Sequence, residues 1–374
     1  MRLLLSPGAF SGALSAVEVA AAMARGWLTT APGTEVRTLP MSDGADGLIA
    51  TVHAARGGEL LPVTVAGPLG EPVPATILHV PGPAGGTAYI EAGQAIGRQL
   101  TPPGAELRDA EQGSSAGLAE LVLAALDLGA GRLVIGMGEA ASHDGGTGLV
   151  ARLGSDPAPG SSPVTAEQLA QAHRLLDGRD VVVAVADRAP LLGLHGTRAL
   201  LAERAGIAPA AAQQIDTPVG EQVAALARAA RTLPRRTSLM GAPEPGDRPG
   251  RTDGSGAAGG AGFALELLGA RLLPGPDVVG AEIGLTEAAG HADVVLTGTA
   301  VLDADAVESS VVGTVGRAAM EHGIPVVVLA EEVQTSRREV AKSGLSATYA
   351  AGSGDLRVLE EWAARLARTW ARTA

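Results

Sequence analysis

The chain has 374 residues, 46% hydrophobic and 18% charged, enough apolar material for two cores and too much for a disordered chain. A net charge of −12 leaves nothing to neutralise a phosphate backbone, so nucleic acid is excluded as the main partner. The absence of cysteine excludes disulfides, thiolate zinc sites and cysteine nucleophiles, and fits a reducing cytoplasm.

The chain opens on Leu3-Leu4-Leu5, cut short by Pro7-Gly8, which reads as a strand rather than a signal peptide. Nowhere does an apolar run approach the ~18 residues of a membrane span. Ser15-Ala16-Val17-Glu18 is a capping box and predicts an alanine-rich helix to about Arg25. Further strands are expected at residues 35–39, 63–65, 76–78, 88–90, 133–135, 181–184, 294–296 and 326–329. Several are continuous apolar runs with helical patterns between them, the mark of parallel strands covered on both faces. Residues 154–163 and 231–256, rich in Pro and Gly, read as mobile loops. From residue 356 to the end, Leu359, Trp362, Leu366 and Trp370 form one helical stripe, the pattern of a docked terminal helix.

Four loops at expected strand ends are dense in glycine or small residues: S-P-G-A-F-S-G at 6–12, M-S-D-G-A-D-G at 41–47, G-M-G-E-A-A-S-H-D-G-G-T-G at 136–148, and G-S-G-A-A-G-G-A-G at 254–262. Glycine permits positive φ and close backbone approach, so successive N–H groups can converge on an anion. In open α/β sheets such loops crowd the crevice where ligands bind. A Walker loop is absent, and the single lysine, Lys342, means that a cation in any site has to be arginine.

In this order the loops resemble those of the glycerate kinase family, which phosphorylates D-glycerate with ATP and Mg²⁺. The family's A-P-D-S-F-K-G-S-L-S-A resembles residues 6–16, its M-A-D-G-G-E-G residues 41–47, and its V-T-G-P-L-G-x-P-V residues 65–73. Its G-G-S-A-T-N-D-G-G-A-G resembles residues 138–148 and its G-A-G-A-A-G-G-x-G residues 254–262; P-L-L-G recurs at 190–193 and T-G at Thr297-Gly298, with I-D matched by Leu302-Asp303. The resemblance implies an α/β fold: a parallel-sheet, Rossmann- or flavodoxin-like domain at 1–65 and 285–374, a second α/β domain inserted at 66–284, and an active site in the cleft between them. It further implies a small hydroxy acid as partner and a cytoplasmic enzyme.

The resemblance places Asp144 and Asp303 in catalytic roles, with His143 in the place of the family's Asn and Asp187 one position past the family's Asp, whose own place is Ala186. It assigns substrate and phosphate contacts to Gly8, Ser11, Gly12, Asp43, Gly44, Glu91, Gly138, Ser142, Gly145, Gly146, Gly259, Gly260, Thr297 and Gly298, and Mg²⁺ to Asp43 and Asp303. On the residues alone, Asp144 reads either as a helix N-cap beside an anion-binding helix start or as a cap only. His143 reads as a base, an anion donor or an incidental loop histidine. Asp43, Asp46 and Asp303 read either as an oxygen-ligand Mg²⁺ site or as turn aspartates.

Where the chain departs from the family, many of the replaced positions are charged. The first motif's Asp and Lys are Gly8 and Ser11; the fourth motif's G-S is Glu139-Ala140 and its Asn is His143. The family's Lys in G-P-Q-K-G falls at Ala205's stretch (residues 202–206), the Glu, Gly and Arg of T-G-E-G-R-I-D are Thr299, Ala300 and Val301, and a following Lys is Ser310. Phosphoryl transfer needs cations on the moving charge, so three readings follow: a divergent kinase with arginines such as Arg108, Arg188 or Arg204 in place of the lysines, a silent family member binding a small acid or a protein partner, and an altered activity on a related hydroxy acid or phosphate ester.

Overall fold

A computed structural model of the chain describes residues 1–11, 14–155, 163–193, 196–197, 209–233 and 249–371. Its strands are β1 (Arg2–Leu5), β2 (Glu35–Thr38), β3 (Glu59–Ala66), β4 (Pro72–Val80), β5 (Thr87–Glu91), β6 (Arg132–Met137), β7 (Asp180–Val185), β8 (Arg271–Pro274), β9 (Val294–Leu302), β10 (Val326–Val333) and β11 (Leu345–Ala350). The chain forms two compact units, one of residues 1–57 with 275–374 and one of residues 58–274.

The first unit is a five-stranded sheet in the order β11-β10-β9-β1-β2, parallel at every pairing. Its central strands are the continuous apolar runs of the sequence, and Leu3, Leu5, Leu296, Val327 and Leu329 are buried. The helix Ala16–Thr30 starts at the predicted box: the Ser15 hydroxyl accepts from Glu18 N at 3.3 Å and the Glu18 carboxylate from Ser15 N at 2.9 Å. It runs past Arg25 to pack on the terminal helix Leu356–Trp370, whose Leu359, Ala363, Leu366 and Ala367 are buried. The backbones meet at Gly26, where an added Cβ would lie 2.0 Å from Glu360 O.

The second unit carries a six-stranded sheet in the order β3-β4-β5-β6-β7-β8. Strands β5 to β8 are parallel, while β3, β4 and β5 pair antiparallel, so this sheet is mixed. The reason is local: β3 and β4 are joined by a short turn closed by Gly67 N to Glu71 O at 2.6 Å, with Gly70 at φ +90°. The alternating burial of β4 agrees with a strand covered on one face.

The units divide before Gly58 and after Pro274, earlier in the chain than the expected cuts at 65/66 and 284/285. All of β3 is paired with β4 in the second unit. The helix Gly275–Glu282 packs in the first, where a Cβ on Gly275 would sit 1.8 Å from Asp43 O and Glu282 pairs with Arg56 at 3.0 Å. The expected loops at 154–163 and 231–256 fall mostly outside the described residues. The described end of the latter is packed rather than loose: Gly254, Ser255 and Gly256 are buried, with Gly254 N donating to Arg188 O at 2.9 Å and Gly256 N to Ala189 O at 3.1 Å. Among the described residues no helix is long and apolar enough to cross a membrane.

Candidate active site

In the second unit the two glycine loops, residues 138–146 after β6 and 254–260 before the helix Ala261–Leu267, lie directly on each other. Ala258 N donates to Gly138 O at 3.1 Å and Gly145 N to Gly259 O at 3.1 Å. Gly145, Gly146, Gly259 and Gly260 all have positive φ. A Cβ on Gly259 would lie 1.7 Å from Ser142 O, and one on Gly260 2.6 Å from Gly145 Cα. These glycines therefore serve loop-on-loop packing, whatever else they do.

Asp144 is the pin of this layer. Its Oδ2 accepts from Ser115 N and Ser115 Oγ at 2.9 Å each and from Gly148 N at 3.0 Å, and its Oδ1 accepts from Gly146 N at 2.9 Å. The N-cap of the helix Thr147–Leu153 is Gly146, in the left-handed region, not Asp144. Asp144 stands two residues earlier and its carboxylate takes up the N–H groups that the N-cap reading left open to an anion. Through Ser115 it also fixes the start of the helix Ala116–Asp127.

His143 is 5% exposed, and its Nδ1 lies 3.0 Å from Ala141 O, which places a proton on Nδ1 because a carbonyl only accepts. Ser142 is fully buried, and among the described residues its hydroxyl meets no hydrogen-bond partner. Glu91, at the end of β5, accepts from Gln94 Nε2 at 2.8 Å. Asp187, after β7, is exposed and accepts from Ala189 N at 2.9 Å, while the neighbouring Arg188 pairs with Asp253.

A pocket of about 400 Å³ opens beside the two loops within this unit. It is lined by Arg98, Gly104, Glu106, Gly138, Glu139, Ala140, His143, Asp187, Ala189, Thr197 and residues 256–259. Of the second-unit residues expected at the site, Gly138, His143, Asp187 and Gly259 line it; Glu91, Ser142, Asp144, Gly145, Gly146 and Gly260 do not. Arg98, Glu106 and Thr197 escaped the sequence reading because no motif marks them. Among the described residues Arg98 is the one guanidinium on the wall. Its Nη1 reaches Thr101 Oγ1 and, at 3.4 Å, Asp109 Oδ2; its Nη2 reaches Glu106 Oε1 and, at 3.4 Å, Pro102 O. Glu106 also accepts from Gly104 N at 3.2 Å; its own backbone N–H, the Arg98 guanidinium and the Gly104 N–H, in that order, hold its carboxyl below the usual range.

The other expected residues lie in the first unit, following β1 and β2 and within or just past β9. Gly8 N donates to Gly298 O at 2.9 Å, Thr297 is buried with Oγ1 donating to Ser6 O at 2.7 Å, and Gly298 leaves room for the Phe10 ring. Ser11 N donates to the Glu331 carboxylate at 2.5 Å, so an internal anion already faces the first loop. Gly12, like Arg204, lies outside the described residues. Gly44 has φ +94° and takes the Ser42 hydroxyl on its N–H at 2.9 Å.

Asp43 forms an Asx turn to Ala45 N at 3.0 Å. It keeps an accessible face, but the protein packed around it strips water from the carboxylate and, with Asp46 near, raises its pKa. Asp303 is the N-cap of the helix Ala304–Ser309, accepting from Ala306 N at 2.7 Å. Among the described residues no three acidic or histidine side chains are grouped to hold a metal ion. Asp43, Asp46 and Asp303 thus form no such group of three; Asp43 closes a local turn and Asp303 caps a helix. The residues present do not fit a protein-built Mg²⁺ cage.

The architecture is that of an α/β protein with a second α/β unit inserted between the halves of the first, small-residue loops closing the strand ends of both. The chain belongs to the glycerate kinase family, whose model matches residues 3–374. It is 32% identical to the glycerate kinase of Bacillus subtilis over 364 residues, covering 93% of this chain and 90% of that one. It is 30% identical to the glycerate 2-kinase of Escherichia coli over 361 residues, with the same coverage. Among solved structures it is similar to a putative glycerate kinase 2 from Salmonella typhimurium, with a TM-score of 0.77 and 27% identity over 99% of this chain and 98% of that one.

Proposed function

We propose that the protein transfers a phosphoryl group from ATP to a hydroxyl of D-glycerate or a closely related hydroxy acid, more slowly than relatives that keep the motif lysines. The observation that carries this reading is similarity along nearly the whole chain to proteins named glycerate kinase, at 30–32% identity. The slowing follows from the replaced charges. Ser11, Val301 and Ser310 stand where the family has cations, and one electrostatic stabiliser is commonly worth ~10²–10³ in rate. Mg²⁺ takes part here only as an ion carried on the nucleotide's own phosphates, since magnesium is often held by few protein ligands.

A second reading, a silent member that binds the acid without turning it over, is favoured by one specific feature. Among its described residues the pocket wall carries Glu106, Glu139 and Asp187 against the guanidinium of Arg98, a charge balance that opposes a triphosphate. Measured ATP turnover with D-glycerate, run beside thermal shifts with ATP and with glycerate separately, separates the two. Glycerate-dependent ADP release with a nucleotide shift supports the kinase. A shift with glycerate alone and no ADP release rejects it in favour of the silent binder.

A further inference from the structure

We propose that Arg98 is the residue that recognises the carboxylate of the acid ligand, and that Glu106 holds its place on the guanidinium until the ligand arrives. The inference rests on the hydroxy-acid reading above for the identity of the ligand. Its geometric basis is the second-unit pocket. Arg98 is the one guanidinium among the described residues lining that pocket, and its side chain is 24% exposed. A planar guanidinium matches a carboxylate with two parallel N–H donors. In this structure one of its terminal nitrogens is engaged by the Glu106 carboxylate, which lines the same pocket.

Glu106 is 29% exposed at its side chain and sits eight residues along the same wall, so the pair is local and able to part without unfolding a helix core. Asp109, by contrast, is 1% exposed and is held by Arg108 at 2.8 Å as well as by Arg98. A ligand carboxylate that displaces Glu106 therefore leaves the Asp109 contact as an anchor for the guanidinium. The rest of the wall completes the match. Glu139 and Asp187 are exposed carboxylates that accept hydrogen bonds and donate none. Among the described residues of the wall, one cation for a carboxylate and two acceptors for hydroxyl groups complement a hydroxy monocarboxylate, and the same two acceptors repel a polyanion. Selectivity for a singly charged hydroxy acid over a phosphate ester follows from that balance.

The experiment is calorimetric titration of the full-length protein with D-glycerate, without nucleotide, for wild type, Glu106→Gln and Arg98→Gln, with inorganic phosphate as a second probe. Removing the competing charge in Glu106→Gln is expected to tighten glycerate about three- to tenfold, and Arg98→Gln to weaken it at least about tenfold. Because Arg98→Gln also loosens Asp109, its melting temperature is recorded. Glu106→Gln, which leaves that contact intact, decides the matter if Arg98→Gln is poorly folded. Equal affinity in wild type and Glu106→Gln overturns the proposal, as does the absence of glycerate binding in both. Tighter phosphate than glycerate binding by Glu106→Gln also overturns it, by assigning the wall to a phosphate. ADP release, measured separately, reports on the kinase reading: turnover with no Glu106→Gln effect sinks only the Arg98 assignment, and a clear Glu106→Gln effect without turnover sinks only the kinase.

Discussion

Asp144 shows how a residue picked out by a motif can be committed to holding the fold. One half-buried carboxylate accepts four hydrogen bonds from Ser115, Gly146 and Gly148. Asp144→Ala strands those donors and is expected to cost about 2–4 kcal/mol of unfolding free energy, read by urea denaturation. Ser115→Ala should cost less, and the double variant less than the sum, since both lose the Ser115 Oγ–Asp144 bond. Additive losses would show that the two residues act separately. Any loss of turnover in an Asp144 variant has to be read against its loss of stability. Glu266 is governed by burial instead. Burial raises its pKa above 4.5, and the Thr252 hydroxyl at 2.9 Å only partly offsets this. A raised carboxyl pKa contributes stability that is complete below about 4.5 and lost as pH rises through the folded-state value. Glu266→Gln is therefore expected to melt higher than wild type at pH 7, with the gap closing toward pH 4.5 in thermal scans. A constant gap across that range would place its cause outside titration.

At the scale of elements, the apolar runs told most of the story. Leu3-Leu4-Leu5, Val181 to Ala184 and Val326 to Leu329 are strands because they are continuous and apolar, and both faces of parallel strands are covered. The strand Arg271–Pro274 was not legible, being four residues at a sheet edge with half its side chains exposed. Leu345–Ala350 was hidden by its mixed polar pattern. The antiparallel start of the second sheet depends on a turn whose hydrogen bond no apolar pattern announces. For the site, the glycine loops were visible while their mutual packing was not, because it joins residues more than a hundred positions apart. That packing predicts a contrast. Gly259→Ala meets Ser142 O at 1.7 Å in a residue with φ +64° and should destabilise the second unit by more than about 3 kcal/mol. Gly33→Ala, with nothing within 4 Å, should stay within about 0.5 kcal/mol of wild type. Chemical denaturation of both variants checks this, and a mild Gly259→Ala would mean that the two loops are less tightly apposed than their hydrogen bonds indicate.

For the whole molecule, the route of the chain decides which part can stand alone. Residues 58–274 are continuous, and their outermost strands are β3 at one sheet edge and β8 at the other, so excising them breaks no strand pair. Their core, from Ile77 and Ile90 through Leu133 and Val183 to Phe263, is contained in the same stretch. The first unit is different: β1 pairs with β9 across the insertion, and the helix Ala16–Thr30 packs on the helix Leu356–Trp370. A fragment of residues 1–57 has neither partner. Residues 58–274 expressed alone are expected to melt cooperatively, with an exchange-protected β5–β6–β7 centre, while residues 1–57 alone remain unfolded by circular dichroism. Every residue lining the pocket lies inside the excised stretch, so glycerate binding belongs to the same prediction: the isolated unit should keep the affinity of the full chain within about threefold and respond to Glu106→Gln in the same direction. A folded but non-binding unit would move the acid away from Arg98, and an unfolded one would make the second unit dependent on the first for its stability.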